Sequence, residues 1–109
     1  MTEVTIYKNL KNECVGFRAY GHAGYAAEGE DIVCAAISIL TINTMNAIEQ
    51  FTDVKCSLVA DDEQGMIDFQ IENPTKESTL LLDTMVLGLE TMVDDEDYAK
   101  YIDLKFEEV

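Results

Sequence analysis

The chain has 109 residues, enough for one compact domain with a single core and too few for two ordinary ones. Twenty-two Asp and Glu against seven Lys and Arg give a formal charge of −15, a field that repels a phosphate backbone and argues against direct nucleic-acid binding. Hydrophobic residues still make up 48% of the chain, so it can bury a core and is no disordered acidic tail.

Val4 and Ile6 alternate with Thr5 and Tyr7, a polar turn follows at 9–12, and residues 14–20 are again rich in β-formers. This pattern predicts an amino-terminal hairpin. Residues 21–30, Gly-His-Ala-Gly-Tyr-Ala-Ala-Glu-Gly-Glu, contain Gly21, Gly24 and Gly29 and show no periodicity, so a mobile loop is expected. Asp31 is then placed as the N-cap of a helix reaching residue 50 or 51. Its stripe is Val33, Ala36, Ile37, Leu40, Thr44, Ala47 and Ile48, while Ile32, Ile39 and Ile42 carry apolar surface to another side. Such a helix needs a sheet on one side and the second helix or another subunit on the other. The uncharged run 32–48 is shorter than a membrane span and contains Ser38, Thr41, Asn43, Thr44 and Asn46. A buried helix is expected, with no membrane involvement.

Residues 54–60 and 66–71 predict a second hairpin around the acidic turn 61–65. After Pro74, the only proline, Leu80, Leu81, Met85, Val86, Leu89, Met92 and Val93 predict a second helix. It should end near 94–97, Asp-Asp-Glu-Asp, because four acids sit badly at the negative end of a helix; that run is expected to be loop. From Tyr98 through Tyr101, Ile102, Leu104 and Phe106 a final strand is expected. The order ββαββαβ points to a single α+β domain over residues 1–109. It should be a two-layer sandwich with two helices on one face of a largely antiparallel sheet.

Cys14, Cys34 and Cys56 are odd in number, widely spaced and without a CxxC pattern, so no disulfide framework, zinc site or other metal centre is expected. No cofactor is called for, a reducing cytoplasm fits, and the amino terminus shows no signal-peptide pattern. Cys14 and Cys56, on predicted strands, read as small buried hydrophobes. Cys34 differs. With Asp31 as cap it falls at the third helical position, where free backbone NH groups favour a thiolate and could form an oxyanion hole. An ordinary thiol is only a few per cent ionised at neutral pH, and His22, the single imidazole, could activate it.

Eleven residues separate His22 from Cys34, which lets the two meet without compelling it. Glu28, Glu30 and Asp31 would favour an imidazolium and oppose a thiolate. Asp31 could orient the imidazole, although capping explains it more simply; Ser38 could bond near the site or back to a helix carbonyl. The plain alternative is a buried helical cysteine and a surface histidine with no chemistry between them.

Gly21-His22-Ala23-Gly24, the following glycine and acid, and the run 31–38, Asp-Ile-Val-Cys-Ala-Ala-Ile-Ser, resemble the signature of the ribosomal-processing cysteine protease family Prp. The likeness extends to chain length, acidic balance and element order. It implies a cytoplasmic endopeptidase that removes a short N-terminal extension from ribosomal protein twenty-seven of the large subunit. In that reading Cys34 is the nucleophile and His22 the general base and proton donor. Asp31 and Ser38 are supporting candidates, and Gly21, Gly24 and Gly29 belong to a gate ordered by substrate. The resemblance further implies a homodimer and a substrate with aromatic residues just before the scissile bond and a basic protein behind them. The rival reading is a non-enzymatic acidic module that binds a basic ribosomal protein or assembly factor; a redox-sensing thiol is a third.

Overall fold

The computed structural model describes residues 1–21 and 28–109, apart from the side chains of residues 28–30. His22, Gly24 and the middle of the predicted loop lie outside the described residues. The elements run β1 (Thr2–Lys8), β2 (Cys14–Tyr20), α1 (Glu28–Phe51), β3 (Cys56–Asp61), β4 (Met66–Ile71), α2 (Lys76–Asp94), α3 (Glu96–Ala99) and β5 (Ile102–Glu108). The strands form one sheet in the order β3-β4-β2-β1-β5, antiparallel except for the parallel β1–β5 pair. This is the expected α+β class, and the long helices cover one face.

Two boundaries differ from the sequence reading. The first helix begins at Glu28, so Gly29 is helical and Asp31 is not an N-cap. A helix runs through glycine at a cost of about 1 kcal/mol relative to alanine. An acid in the first turn opposes the positive end of the dipole without capping it, which explains Asp31 equally well. The second difference is α3, inserted where a loop and the start of a strand were expected. Asp95 ends α2 and caps the new turn, its carboxylate accepting from the Asp97 backbone NH at 2.8 Å. Tyr98 therefore belongs to α3 and Tyr101 to the turn before β5. The start of α2 is locked by Thr75 and Ser78, whose side chains each accept from the other's backbone NH, at 3.1 and 2.9 Å.

Alternation in the strands sorts the two faces. Thr2, Val4, Ile6, Phe17, Ala19, Phe69, Ile71 and Ile102 are buried under the helices. From α1 the buried residues are Val33, Ile37, Thr41, Thr44 and Ile48; from α2, Ser78, Leu82, Met85, Val86 and Leu89. The two helices meet closely at Gly88, where an added Cβ would stand 3.1 Å from Leu40 Cδ2. The segment Asp31–Phe51 is apolar and long enough to cross a membrane, yet here its stripe is spent on the sheet. Ile32, Ile39 and Ile42 remain exposed, so the second helix does not cover the other apolar side.

The opposite face of the sheet is polar. Tyr7 reaches from β1 across β2 to donate from its hydroxyl to Asp68 Oδ2 on β4 at 2.9 Å. It can do so because Gly16 is its cross-strand partner and has no side chain; a Cβ there would also stand 2.1 Å from the Phe69 carbonyl oxygen. Burial, and then the bond to Asp68 and its charge, push the Tyr7 phenol up to about 12. The folded state thus favours the neutral phenol. Its contribution is complete below the ordinary tyrosine range near 10 and is lost as pH rises toward about 12. Tyr7→Phe should destabilise the protein by about 1 kcal/mol at neutral pH, with the gap from wild type closing between about pH 10 and 12 in urea titrations.

Candidate active site

Cys34 is the seventh residue of α1 counted from Glu28, nearly two turns in, so its amide belongs to the helix interior. The expectation that unpaired NH groups of the helix start surround the thiol is therefore not met: those donors lie upstream by about a turn. What α1 does provide is alignment. Asp31, Cys34 and Ser38 follow the i, i+3, i+7 spacing that places them along one side of the helix.

That side opens on a cavity of about 160 Å³ lined by Cys34, Ser38, Ile37 and Thr41 from α1, Thr2 and Ala19 from the sheet, Ile67 from β4, and Gly21 and Gly65. Cys34 is half-buried and free, whereas Cys14 is buried and Cys56 exposed. The expectation of a buried Cys56 fails because it opens β3, a strand at the sheet's edge that α1 does not cover. Burial, followed by the charge of Glu49, pushes the Cys56 thiol up; burial does the same to Cys14.

Two glycines shape the mouth of the cavity. Gly21 ends β2 and donates its NH to the Gly65 carbonyl at 3.0 Å, and a Cβ on Gly21 would lie 3.7 Å from Cys34 Sγ. Gly65, in the turn before β4, has φ +63°, and a Cβ on it would fall 2.6 Å from the Gly21 carbonyl oxygen. The pair fastens the end of β2 to the start of β4 beside the thiol. Sequence reasoning found Gly21 but not Gly65, Thr2 or Ile67. A glycine ending an acidic hairpin turn was the one available signal.

Of the other expected site residues, Ser38 is exposed and lines the cavity, and among the described residues its hydroxyl has no hydrogen-bond partner. The back-bonding expected of it belongs instead to Thr41 and Thr44, which donate to the carbonyls of Ile37 and Leu40 at 2.9 and 2.7 Å. Asp31 is exposed. Gly21 borders the cavity, Gly29 lies in the first turn of α1, and His22 and Gly24 fall outside the described residues.

The family model for the cysteine protease Prp matches residues 1–103. The chain belongs to this family. A ribosomal processing cysteine protease Prp of Staphylococcus aureus is 32% identical over 107 residues, covering 97% of this chain and 99% of the relative. That of Bacillus subtilis is 25% identical over 100 residues, covering 87% of this chain and 89% of the relative. Among solved structures, an essential ribosomal processing protease Prp from S. aureus in complex with a substrate peptide superposes with a TM-score of 0.90 at 28% identity. It covers 98% of this chain and 100% of its own. A Streptococcus mutans protein superposes with a TM-score of 0.86, also at 28% identity, over 100% of this chain and 99% of its own. The family is one of cysteine proteases, and the named relatives are ribosomal processing proteases, which accords with a half-buried thiol at the edge of a cavity.

Substituting Gly65 should disturb this site first. Gly65→Ala must displace Gly21 or strain the turn, and a loss of about 1–2 kcal/mol is expected in thermal or urea unfolding. Gly21→Ala, whose Cβ would make only ordinary contacts, should unfold within a few tenths of a kcal/mol of wild type.

Proposed function

We propose that this protein is a cytoplasmic cysteine endopeptidase, one catalytic domain over residues 1–109, that removes a short N-terminal extension from ribosomal protein twenty-seven of the large subunit. Cys34 is the nucleophile and His22 the general base. The observation that carries this reading is the position of the thiol: Cys34 Sγ faces the cavity beside Gly21, and His22 is the residue covalently bonded to Gly21. Adjacent Cα atoms are about 3.8 Å apart, so the only imidazole of the chain is tethered within a residue of the thiol.

In the reaction, Cys34 thiolate attacks the scissile carbonyl, and the tetrahedral intermediate collapses to a thioester as His22 protonates the departing amine. The same imidazole then takes a proton from water, which attacks the thioester and frees the enzyme. Because Asp31 does not cap the helix and shares its side with Cys34, the fitting role for its carboxylate is to orient His22. Ser38, with a hydroxyl that has no partner among the described residues, donates to the developing oxyanion. A basic precursor is drawn by the charge of −15, which raises its encounter rate.

A homodimer fits the same molecule. The outer side of α1 carries no charge from Ile32 to Ile48, and Ile32, Ile39 and Ile42 are 55%, 71% and 44% exposed there. On a chain of charge −15, that is where two copies meet with least repulsion.

Incubating the purified protein with the ribosomal precursor and weighing the products by mass spectrometry tests the reaction. Cys34→Ala should cost at least about 10³-fold in turnover, and His22→Ala a comparable amount with its unfolding temperature retained. Ser38→Ala should lower kcat about 10–100-fold with KM little changed. Precursor binding that persists after Cys34 alkylation, with no cleavage by untreated protein, would establish the acidic binding module instead. Ile39→Lys should shift the protein toward monomer in sedimentation equilibrium without unfolding it.

A further inference from the structure

A second depression lies farther along α1. Beyond Cys34, Ser38 and Thr41, the same side of α1 carries Met45 and Glu49, at successive turns. Beyond Ile67, the helix-facing side of β4 carries Phe69, paired with Leu58 of β3. These residues, with Asn46, Asp53, Val54 and Cys56, enclose a cleft of about 410 Å³ between α1 and the edge strand. The two cavities thus share their walls, α1 on one side and β4 on the other.

The cleft is open because α1 stops short of β3. Leu58 faces the helix layer yet is 56% exposed, and Cys56 and Ala60 on the same side of the strand are exposed too. Met45, Val54, Leu58 and Phe69 give it an apolar part beside Asn46, and its charged lining residues are Glu49 and Asp53, both acidic and both at the end far from Cys34. Glu49 lies close enough to Cys56 to oppose ionisation of that thiol. An occupant must therefore be apolar in the middle and basic at its distal end.

Distances set the register. Met45 lies eleven positions and Glu49 fifteen positions beyond Cys34 along the helix, rises of about 16 and 22 Å. An extended polypeptide advances about 3.3 Å per residue, so those points correspond to about five and seven residues from the scissile bond.

We propose that the cleft between α1 and β3 is an extended substrate subsite that takes an apolar side chain about five residues, and a basic side chain about seven residues, after the scissile bond. The inference rests on the proteolytic reading of Cys34, and on a substrate whose basic body follows the bond. It makes the cleft a specificity-determining surface remote from the chemistry: it selects which polypeptide is held while Cys34 acts.

Three peptides with one scissile sequence test this. The first ends about three residues after the bond; the second continues with leucine and lysine at the two predicted positions; the third has glutamate in place of that lysine. The expected result is a kcat/KM for the second peptide at least about 10-fold above the other two. Glu49→Lys and Leu58→Glu should each remove that advantage while leaving cleavage of the short peptide unchanged. As an independent readout, Cys34→Ala carrying a trifluoromethyl tag on exposed Cys56 should show a fluorine NMR shift with the second peptide and none with the first, buried Cys14 staying unlabelled. Equal cleavage of all three peptides by wild type, or an advantage that survives Glu49→Lys, overturns the subsite. Failure of wild type to cleave any of them would overturn the proteolytic reading, and the Cys56 signal would then decide on its own whether the cleft takes the long peptide.

Discussion

The seating of α1 on the sheet is the constraint on which the rest depends. Val33, Ile37 and Ile48 are fully or almost fully buried, and removing each from water contributes about 1.5–3 kcal/mol. Once that stripe is committed, the rotation of the helix is set, and every other residue on it has its direction assigned. Cys34 and Ser38 turn toward the cavity beside β4, Leu40 turns toward Gly88 of α2, and Ile39 turns outward. The direction of Cys34 is thus inherited from core packing. Thr41 and Thr44, buried in the same stripe, satisfy their hydroxyls on carbonyls one turn back and so leave no polar atom to disturb it.

The same seating decides what stays open. A single long helix and its neighbour cannot cover five strands, and the strand left bare on the helix side is β3. On the other face no second layer is present among the described residues, and polar side chains make the sheet tolerable in water, with Tyr7 bridging the central strands to Asp68 and Lys105 paired with Asp103 at 3.2 Å. Acidic surface, a charge-free helix ridge and an apolar cleft with an acidic end thus occupy separate regions of a small molecule.

Much of this was legible in the residues. Alternation in Val4 to Tyr7 and the helical recurrence from Val33 to Ile48 report burial directly, because strands and helices have fixed periods of side-chain direction. The family was legible for a different reason: the run from Gly21 to Ser38 resembles the signature of the one family to which the chain belongs. Capping was less legible. Asp31 looks like an N-cap, but an acid is equally at home in the first turn, and local sequence does not distinguish the two when a glycine precedes it. The short helix at Asp95 was hidden by its own acidity, which opposes the end of α2 and favours the start of α3.

What the sequence determined by itself was the order of the strands and the two long helices, the core stripe and the net charge, all of them properties of spacing and composition. Only the tertiary structure decided that Gly65 holds Gly21 beside Cys34, that Cys56 is exposed, and that a cleft lined by Glu49 opens between α1 and β3. Those facts depend on which strand lies at the edge and on where residues some forty apart touch. Periodicity constrains which way a side chain points, but not which distant segment it finds there.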